Sequence, residues 1–274
     1  MLKVKKWLGL ALGLVLVSGL LACSRQVEPT TTIRVATSPG PYSELFLEEV
    51  KPALEKEGYQ VENRDFDDLQ RANIAIQEGS MDLNVDQHTL YMEQFNREAG
   101  ADLVAVTPVP TVPTALFAGQ KKSLDEVAPG DQVAISDDPV DVTRSLLLLE
   151  KAGWIRLDPE TDKSEVGEDD IIENKAGIEL SLVQAPVLPQ ALKDVAYAII
   201  PGSTFYDSGM SADQALLNED LRPELKLQAV VRSTDQEADW VKDLVKIYQS
   251  DQLKERVEEI NQTNDRVQWA WTSD

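Results

Sequence analysis

Strand-like and helix-like segments alternate along most of this 274-residue chain, and the alternation is interrupted once, by the three prolines Pro108, Pro110 and Pro113. Residues 33–36 read as a short strand, 43–56 as an amphipathic helix with Leu47, Val50 and Leu54 on one face, and 59–66 as a second strand. That order is a βαβ unit, whose crossover is right-handed almost without exception. Pro52 falls inside the helix and should kink or divide it. Helical 69–77, extended 82–85, helical 90–99 and extended 103–106 continue the pattern. The prolines then stiffen a connector. A fresh series follows: a capping-box start at Ser123-Leu124-Asp125-Glu126, a strand at 132–135, and an apolar helix at 142–152 that Gly153 stops. Strands at 179–183, 196–200 and 227–231 precede amphipathic helices at 236–249 and 251–260. Repeated βα units on both sides of a stiff connector predict two α/β lobes. Open α/β sheets bind ligands beyond the carboxyl ends of their strands, so the loops there are where chemistry is expected.

The N-terminus predicts where the chain works. Lys3, Lys5 and Lys6 precede an apolar stretch over 7–21 that ends Leu20-Leu21-Ala22-Cys23, and Cys23 is the sole cysteine. A charged start, a short apolar run and small residues before a cut describe a secretory signal peptide, 1–22. A cysteine directly after that cut makes it a lipoprotein signal, with Cys23 acylated and 23–32 a polar lipidated tether. More than one acyl chain gives stable anchoring to the extracytoplasmic face of a membrane. With Cys23 lipidated, disulfides, zinc–thiolate sites and cysteine nucleophiles are excluded. Forty-eight acidic residues against 26 basic ones disfavour nucleic acid and anionic lipid head groups as partners.

Two stretches carry chemistry. Ser136-Asp137-Asp138-Pro139-Val140-Asp141-Val142-Thr143-Arg144 joins the 132–135 strand to the following helix. Asp138 or Asp141 can cap that helix, and free N–H groups with a guanidinium at one helix start make a carboxylate receptor. The plain alternative is that Arg144 pairs with Asp141 on its own helix. Asp82-Leu83-Asn84-Val85-Asp86-Gln87-His88-Thr89-Leu90-Tyr91 compresses a strand, a polar loop and a helix start, and holds the one histidine of the chain. A lone histidine is usually a satisfied hydrogen-bonding residue. His88 and Tyr91, three apart, can instead share a helix face and offer an imidazole, a ring and a hydroxyl.

These stretches resemble the methionine-import substrate-binding lipoproteins of the NlpA type. Phe66-Asp67-Asp68 with Asn73 is similar to the family's F-x-D-Y…P-N segment. Asp82, Asn84, Gln87, His88 and Tyr91 match D-x-N-x-F-Q-H-x-P-Y. Asp138, Pro139, Arg144 and the run Leu146, Leu147, Leu148, Leu149 match N-D-P-T-N-x-G-R-A-L-x-L-L, and Tyr248-Gln249-Ser250-Asp251 resembles a tail signature. The resemblance covers essentially the whole chain. It implies an α/β, two-lobed periplasmic-binding-protein fold (type II-like) with a ligand cleft between lobes, 33–108 with 228–274 forming lobe I and 109–227 lobe II. It also implies an amino-acid ligand held at its carboxylate by Arg144, with His88 and Tyr91 lining the cleft. An ABC permease with its cytoplasmic ATPase would be the partner, no covalent chemistry would occur, and no cofactor is implied.

Departures from the pattern fall on the expected pocket. Asp86 stands where the family has an aromatic, Leu69 where it has tyrosine, Asp137 and Asp141 where it has asparagines, and Pro201-Gly202-Ser203 where it has another asparagine. A ring-lined pocket has lost rings and gained carboxylates, with Leu69 and Ser203 at its wall. The resemblance makes a methionine-like amino acid one expectation, but a desolvated carboxylate needs a cation or donors nearby. A more polar or cationic amino acid or short peptide that meets Asp86 is the other, and Asp86 facing solvent or pairing with a lysine is the plain alternative. Two other function classes remain at this stage. Asp86, His88, Asp137 and Asp141 form a candidate oxygen-rich metal-capture set, which Arg144 would oppose. A surface-anchored hydrolase finds no G-x-S-x-G or H-E-x-x-H motif to support it.

Overall fold

The computed structural model describes residues 31–270; the expected signal peptide 1–22, Cys23 and most of the tether lie outside the described residues. Twelve strands and nine α-helices are described. The first half runs β1 (Thr32–Thr37), α1 (Pro41–Leu45), α2 (Lys51–Lys56), β2 (Gln60–Asp65), α3 (Leu69–Gln77), β3 (Leu83–His88), α4 (Thr89–Ala99) and β4 (Leu103–Pro108). After the connector come β5 (Ala115–Ala118), β6 (Gln132–Ser136), α5 (Pro139–Lys151), β7 (Ile155–Leu157), β8 (Ile171–Asn174) and β9 (Glu179–Val183). Then follow α6 (Leu188–Ala191), β10 (Tyr197–Ile200), α7 (Gly202–Asp207), β11 (Ala215–Asn218), β12 (Leu227–Arg232), α8 (Asp239–Tyr248) and α9 (Asp251–Thr263).

These strands build two five-stranded sheets, in the orders β2-β1-β3-β12-β4 and β11-β5-β10-β6-β9, and a small β7-β8 ribbon. In the first, β1 is parallel to β2 and β3, and β12 is antiparallel to β3 and β4. In the second, β6 is parallel to β10 and β9, and β5 is antiparallel to β10 and β11. β12 thus returns to the first sheet after the second is complete. The carboxyl ends of β1, β3, β6 and β10 each lead directly into a helix start. One apolar core runs through both sheets, joining Ile33, Val35, Leu83 and Val85 to Phe117, Ala198 and Ile200. A second core, around Val133, Ile135, Leu146, Leu149 and Tyr197, covers the other side of the second sheet.

The connector is not an exposed leash. Val109 and Val112 are buried. Val109 donates its N–H to the Leu227 carbonyl (2.9 Å), the Leu227 N–H donates to Thr111 Oγ1 (3.1 Å), and Thr111 bridges to Ala270. The helix expected over 43–56 is divided into α1 and α2, with Pro52 in the first turn of α2. A π-helical turn over Phe46–Val50 sits just ahead of it, and the Lys51 N–H reaches back to the Phe46 carbonyl. The wider turn makes room where an α-helical carbonyl would meet the proline ring.

Three local expectations change. The capping-box start at Ser123 yields only a 3-10 turn, Leu124–Glu126, and the Glu126 carboxylate accepts from the Lys122 N–H instead. Pro129 pushes its predecessor out of helical space and stops any extension. The polar loop expected after residue 85 is absent, because β12 pairs with β3 as far as His88 and keeps it extended. Thr32, placed in the tether, opens β1 and pairs with Gln60.

Candidate functional site

Arg144 lies in the first turns of α5, and only 9 % of its side chain is exposed. Its Nε donates to Glu219 Oε2 (3.1 Å) and its Nη2 to Glu219 Oε1, while Nη1 lies 3.5 Å from Asp141 Oδ1. Burial opposes the guanidinium charge, but the Glu219 carboxylate and then Asp141 more than offset it, so the pKa of Arg144 stands above its ordinary value. Glu219 is locked in turn, accepting the Thr114 N–H (2.6 Å). The Arg144–Asp141 contact foreseen as the plain alternative is present, and a stronger partner 75 positions away joins it.

The start of α5 is not open to a ligand in the way its sequence suggests. Asp138 is the N-cap, and its Oδ1 accepts the N–H groups of Val140 (2.9 Å) and Asp141 (3.3 Å). Asp137 is exposed, and its N–H donates to the Val183 carbonyl (2.9 Å).

On the first sheet, His88 ends β3 and caps α4: its Nδ1 accepts the Tyr91 N–H (3.1 Å). That bond makes Nδ1 the acceptor and leaves Nε2 to carry the proton of the neutral ring. The Tyr91 ring stands edge-on to the imidazole at 6.5 Å, so the expected pair is formed. Burial, followed by the nearby Arg144 charge, pulls His88 down to about 4 against the weaker pull of Asp138 and Glu219. Arg144 on α5 and His88 on β3 therefore feel each other across the two sheets. Burial holds the Tyr91 hydroxyl above its usual value.

Asp86 is satisfied from within. Ser43 Oγ (2.8 Å), the Ser38 N–H (3.1 Å) and Asn84 Nδ2 (3.3 Å) all donate to it. Behind it a buried amide chain links Asn73, Gln87 and Asn84 to the Ala36 carbonyl. Burial pushes Asp86 up to about 6 even though these donors favour its charge. The donors around Asp86 are a hydroxyl, a backbone N–H and an amide, all neutral; neither solvent exposure nor a lysine describes its surroundings. Leu69 opens α3 and packs against the Ala36–Ala72–Ile76 cluster. Ser203 is half-buried in the first turn of α7. The metal set of Asp86, His88, Asp137 and Asp141 does not assemble: among the described residues no three such side chains are placed to hold an ion.

Two residues of this neighbourhood escaped the sequence reading. Glu219 carried no motif, and its pairing is set only by β11 joining β5. Tyr42, after Gly40-Pro41, is half-buried, donates to the Val112 carbonyl (3.4 Å), and stacks edge-on with Trp269 at 5.8 Å. Burial raises its hydroxyl pKa although Arg144 acts the other way.

The two shifted groups on β3 act oppositely on stability. His88 titrates lower in the folded chain than its ordinary 6.5, so its contribution is full above pH 6.5 and lost as pH falls toward 4. Asp86 titrates higher than its ordinary 3.8, so its contribution is full at low pH and lost as pH rises through about 6. His88→Asn keeps a capping acceptor and removes only the first of these. On acidification from pH 7 to 4.5 the variant should gain on the order of 2 kcal/mol relative to the parent. Urea unfolding at both pH values measures this; parallel losses in both proteins would contradict the assignment.

With this geometry in place, residues 33–271 match the NlpA lipoprotein family. The chain is 32 % identical over 248 residues to the D-methionine-binding lipoprotein MetQ of Escherichia coli, covering 88 % of this chain and 90 % of that one. It superposes with a TM-score of 0.74 on a nutrient-binding protein from Burkholderia cenocepacia bound to methionine, at 30 % identity over 87 % of this chain and all of that one. A periplasmic substrate-binding protein of an ABC transporter from Coxiella burnetii gives the same TM-score at 29 % identity, over 83 % of this chain and 96 % of that one. The two-sheet α/β architecture is that of the periplasmic substrate-binding proteins, and this chain belongs to the NlpA lipoprotein family.

Proposed function

We infer that the protein is the extracytoplasmic, lipid-anchored solute-binding component of an ATP-driven amino-acid importer. Cys23 is the acylated residue, and a permease with a cytoplasmic ATPase is the partner. Among the described residues no helix is long and apolar enough to cross a membrane. The observation that carries the reading is the buried Arg144 on α5, whose charge reaches His88 at the end of β3. These two positions follow parallel strands of different sheets, where a solute between lobes would meet both. Arg144, His88 and Tyr91 contact the solute; Asp86, Asp141, Asp137, Leu69 and Ser203 shape the walls. Residues 33–108 with 228–274 form one lobe and 109–227 the other, closing by a hinge at the two crossings between sheets. Binding and release break no covalent bond.

Thermal melts of the full-length protein in detergent, across the common amino acids, D-methionine and simple diamines, test the reading. A solute at a hundred times its Kd adds about 2.7 kcal/mol to stability and raises Tm. If no solute raises Tm, the importer assignment fails.

A further inference from the structure

We propose that Tyr206 is a positioning residue that latches the two sheets together. Through Glu44 it sets how far apart the halves carrying His88 and Arg144 stand, and so how tightly a solute is held. The proposal rests on the capture reading above and adds to it a residue outside the solute-contacting set.

Tyr206 and Glu44 belong to different sheets. Glu44 lies on α1, which follows β1. Its neighbour Ser43 ties that helix to β3 by donating to Asp86 Oδ2 (2.8 Å), two residues before His88. Tyr206 lies on α7, which follows β10. Its neighbour Phe205 ties that helix to β5 by packing edge-on against Phe117 at 5.2 Å. Between these two anchored helices the Tyr206 hydroxyl donates to Glu44 Oε2. Arg266, in the segment after α9, stacks over the Tyr206 ring at 4.3 Å and donates to the Tyr206 carbonyl (3.1 Å), which holds the phenol in place.

Glu44 is exposed, so the core of its own half does not need it. What the bond does is oppose a repulsion. Asp207 also faces α1: a Cβ on Gly40 would lie 3.8 Å from Asp207 Oδ1. Burial, followed by the Glu44 charge, raises Asp207 above its ordinary value, with Arg266 acting the other way. Two carboxylates, one from each half, thus feel each other beside a single guanidinium. With the hydroxyl bond made, the halves stay together; with it lost, like charges push them apart. Apparent affinity falls with the fraction of protein in the competent arrangement. A latch away from the solute therefore changes Kd without touching it. Phenylalanine at 206 keeps the ring and the Arg266 stack and removes only the hydroxyl.

Spin labels on Glu93→Cys and Lys175→Cys, exposed positions on α4 and just after β8, report the separation of the halves. Pulsed dipolar spectroscopy is done on the full-length protein in detergent, with the unsubstituted protein as the blank for Cys23. Without solute, Tyr206→Phe should add a second, longer distance population. By calorimetry it should weaken whichever of L-methionine and L-lysine binds the parent, about fivefold. Glu44→Gln keeps an acceptor for the hydroxyl and removes the repulsion. It should show the parent's distances and bind at least as tightly. An unchanged distance distribution in Tyr206→Phe overturns the latch, as does a changed one with the parent's Kd. Glu44→Gln that opens as far as Tyr206→Phe overturns it too. If neither amino acid binds the parent, capture of these two fails, and the distance populations by themselves decide whether Tyr206 holds the halves.

Discussion

Replacing Arg144 by leucine should lower stability by about 3 to 5 kcal/mol and abolish every ligand-induced rise in Tm. The reason is what remains behind. Glu219 and Asp141 would keep their buried positions with no cation between them, and breaking a buried pair from one side costs that much. At roughly 2 to 4 °C per kcal/mol for a chain of this size, Tm drops by about 10 °C. The double variant Arg144→Leu with Glu219→Gln separates structure from recognition. Removing both partners of a buried pair is often near neutral, so most of the stability should return while ligand response does not. If the double variant also binds solute, Arg144 holds the fold and not the ligand.

Gly202→Ala should destabilise the protein on the order of 3 kcal/mol, against the usual gain of about 1 kcal/mol from alanine over glycine in a helix. A Cβ at Gly202 would lie 2.2 Å from the Val112 carbonyl oxygen and 2.7 Å from its carbon. Val112 is fully buried, and its carbonyl receives the Tyr42 hydroxyl, so the backbone has no direction in which to yield. Because Gly202 opens the helix that carries Ser203, the displacement also reaches the wall of the site. Gly167→Ala is the control: its added carbon would approach only Asp170 Oδ2, at 3.9 Å, and should change stability by less than about 0.5 kcal/mol. Equal melting points for the two variants would show that the α7–connector contact yields.

Legibility varied with the length and chemistry of each segment. The bounds 69–77 for α3 and 179–183 for β9 are those read from periodicity, and Gly153 stops α5 in a left-handed conformation, φ +76°. β5, β7, β8 and β11 span three or four residues each, too few for a period to register. The Asp138 cap was one of two options in the sequence and is the one realised. His88 and Tyr91 were found because their pairing is local, three residues apart on one helix start. Asp86 was visible as an anomaly in a motif, but its donors Ser38 and Ser43 lie more than forty positions away and meet it only because β1 runs beside β3.

What the sequence alone determined is whatever depends on neighbours along the chain: the alternating elements, the helix caps, the proline-stiffened connector and the family motifs. What only the tertiary structure decided is the electrostatic state of Arg144. In sequence it is a cation beside an aspartate; folded, it is a cation already neutralised by Glu219, because β11 lies beside β5 and carries that carboxylate to α5. Charge acts through space and desolvation, and neither is written in the spacing of residues.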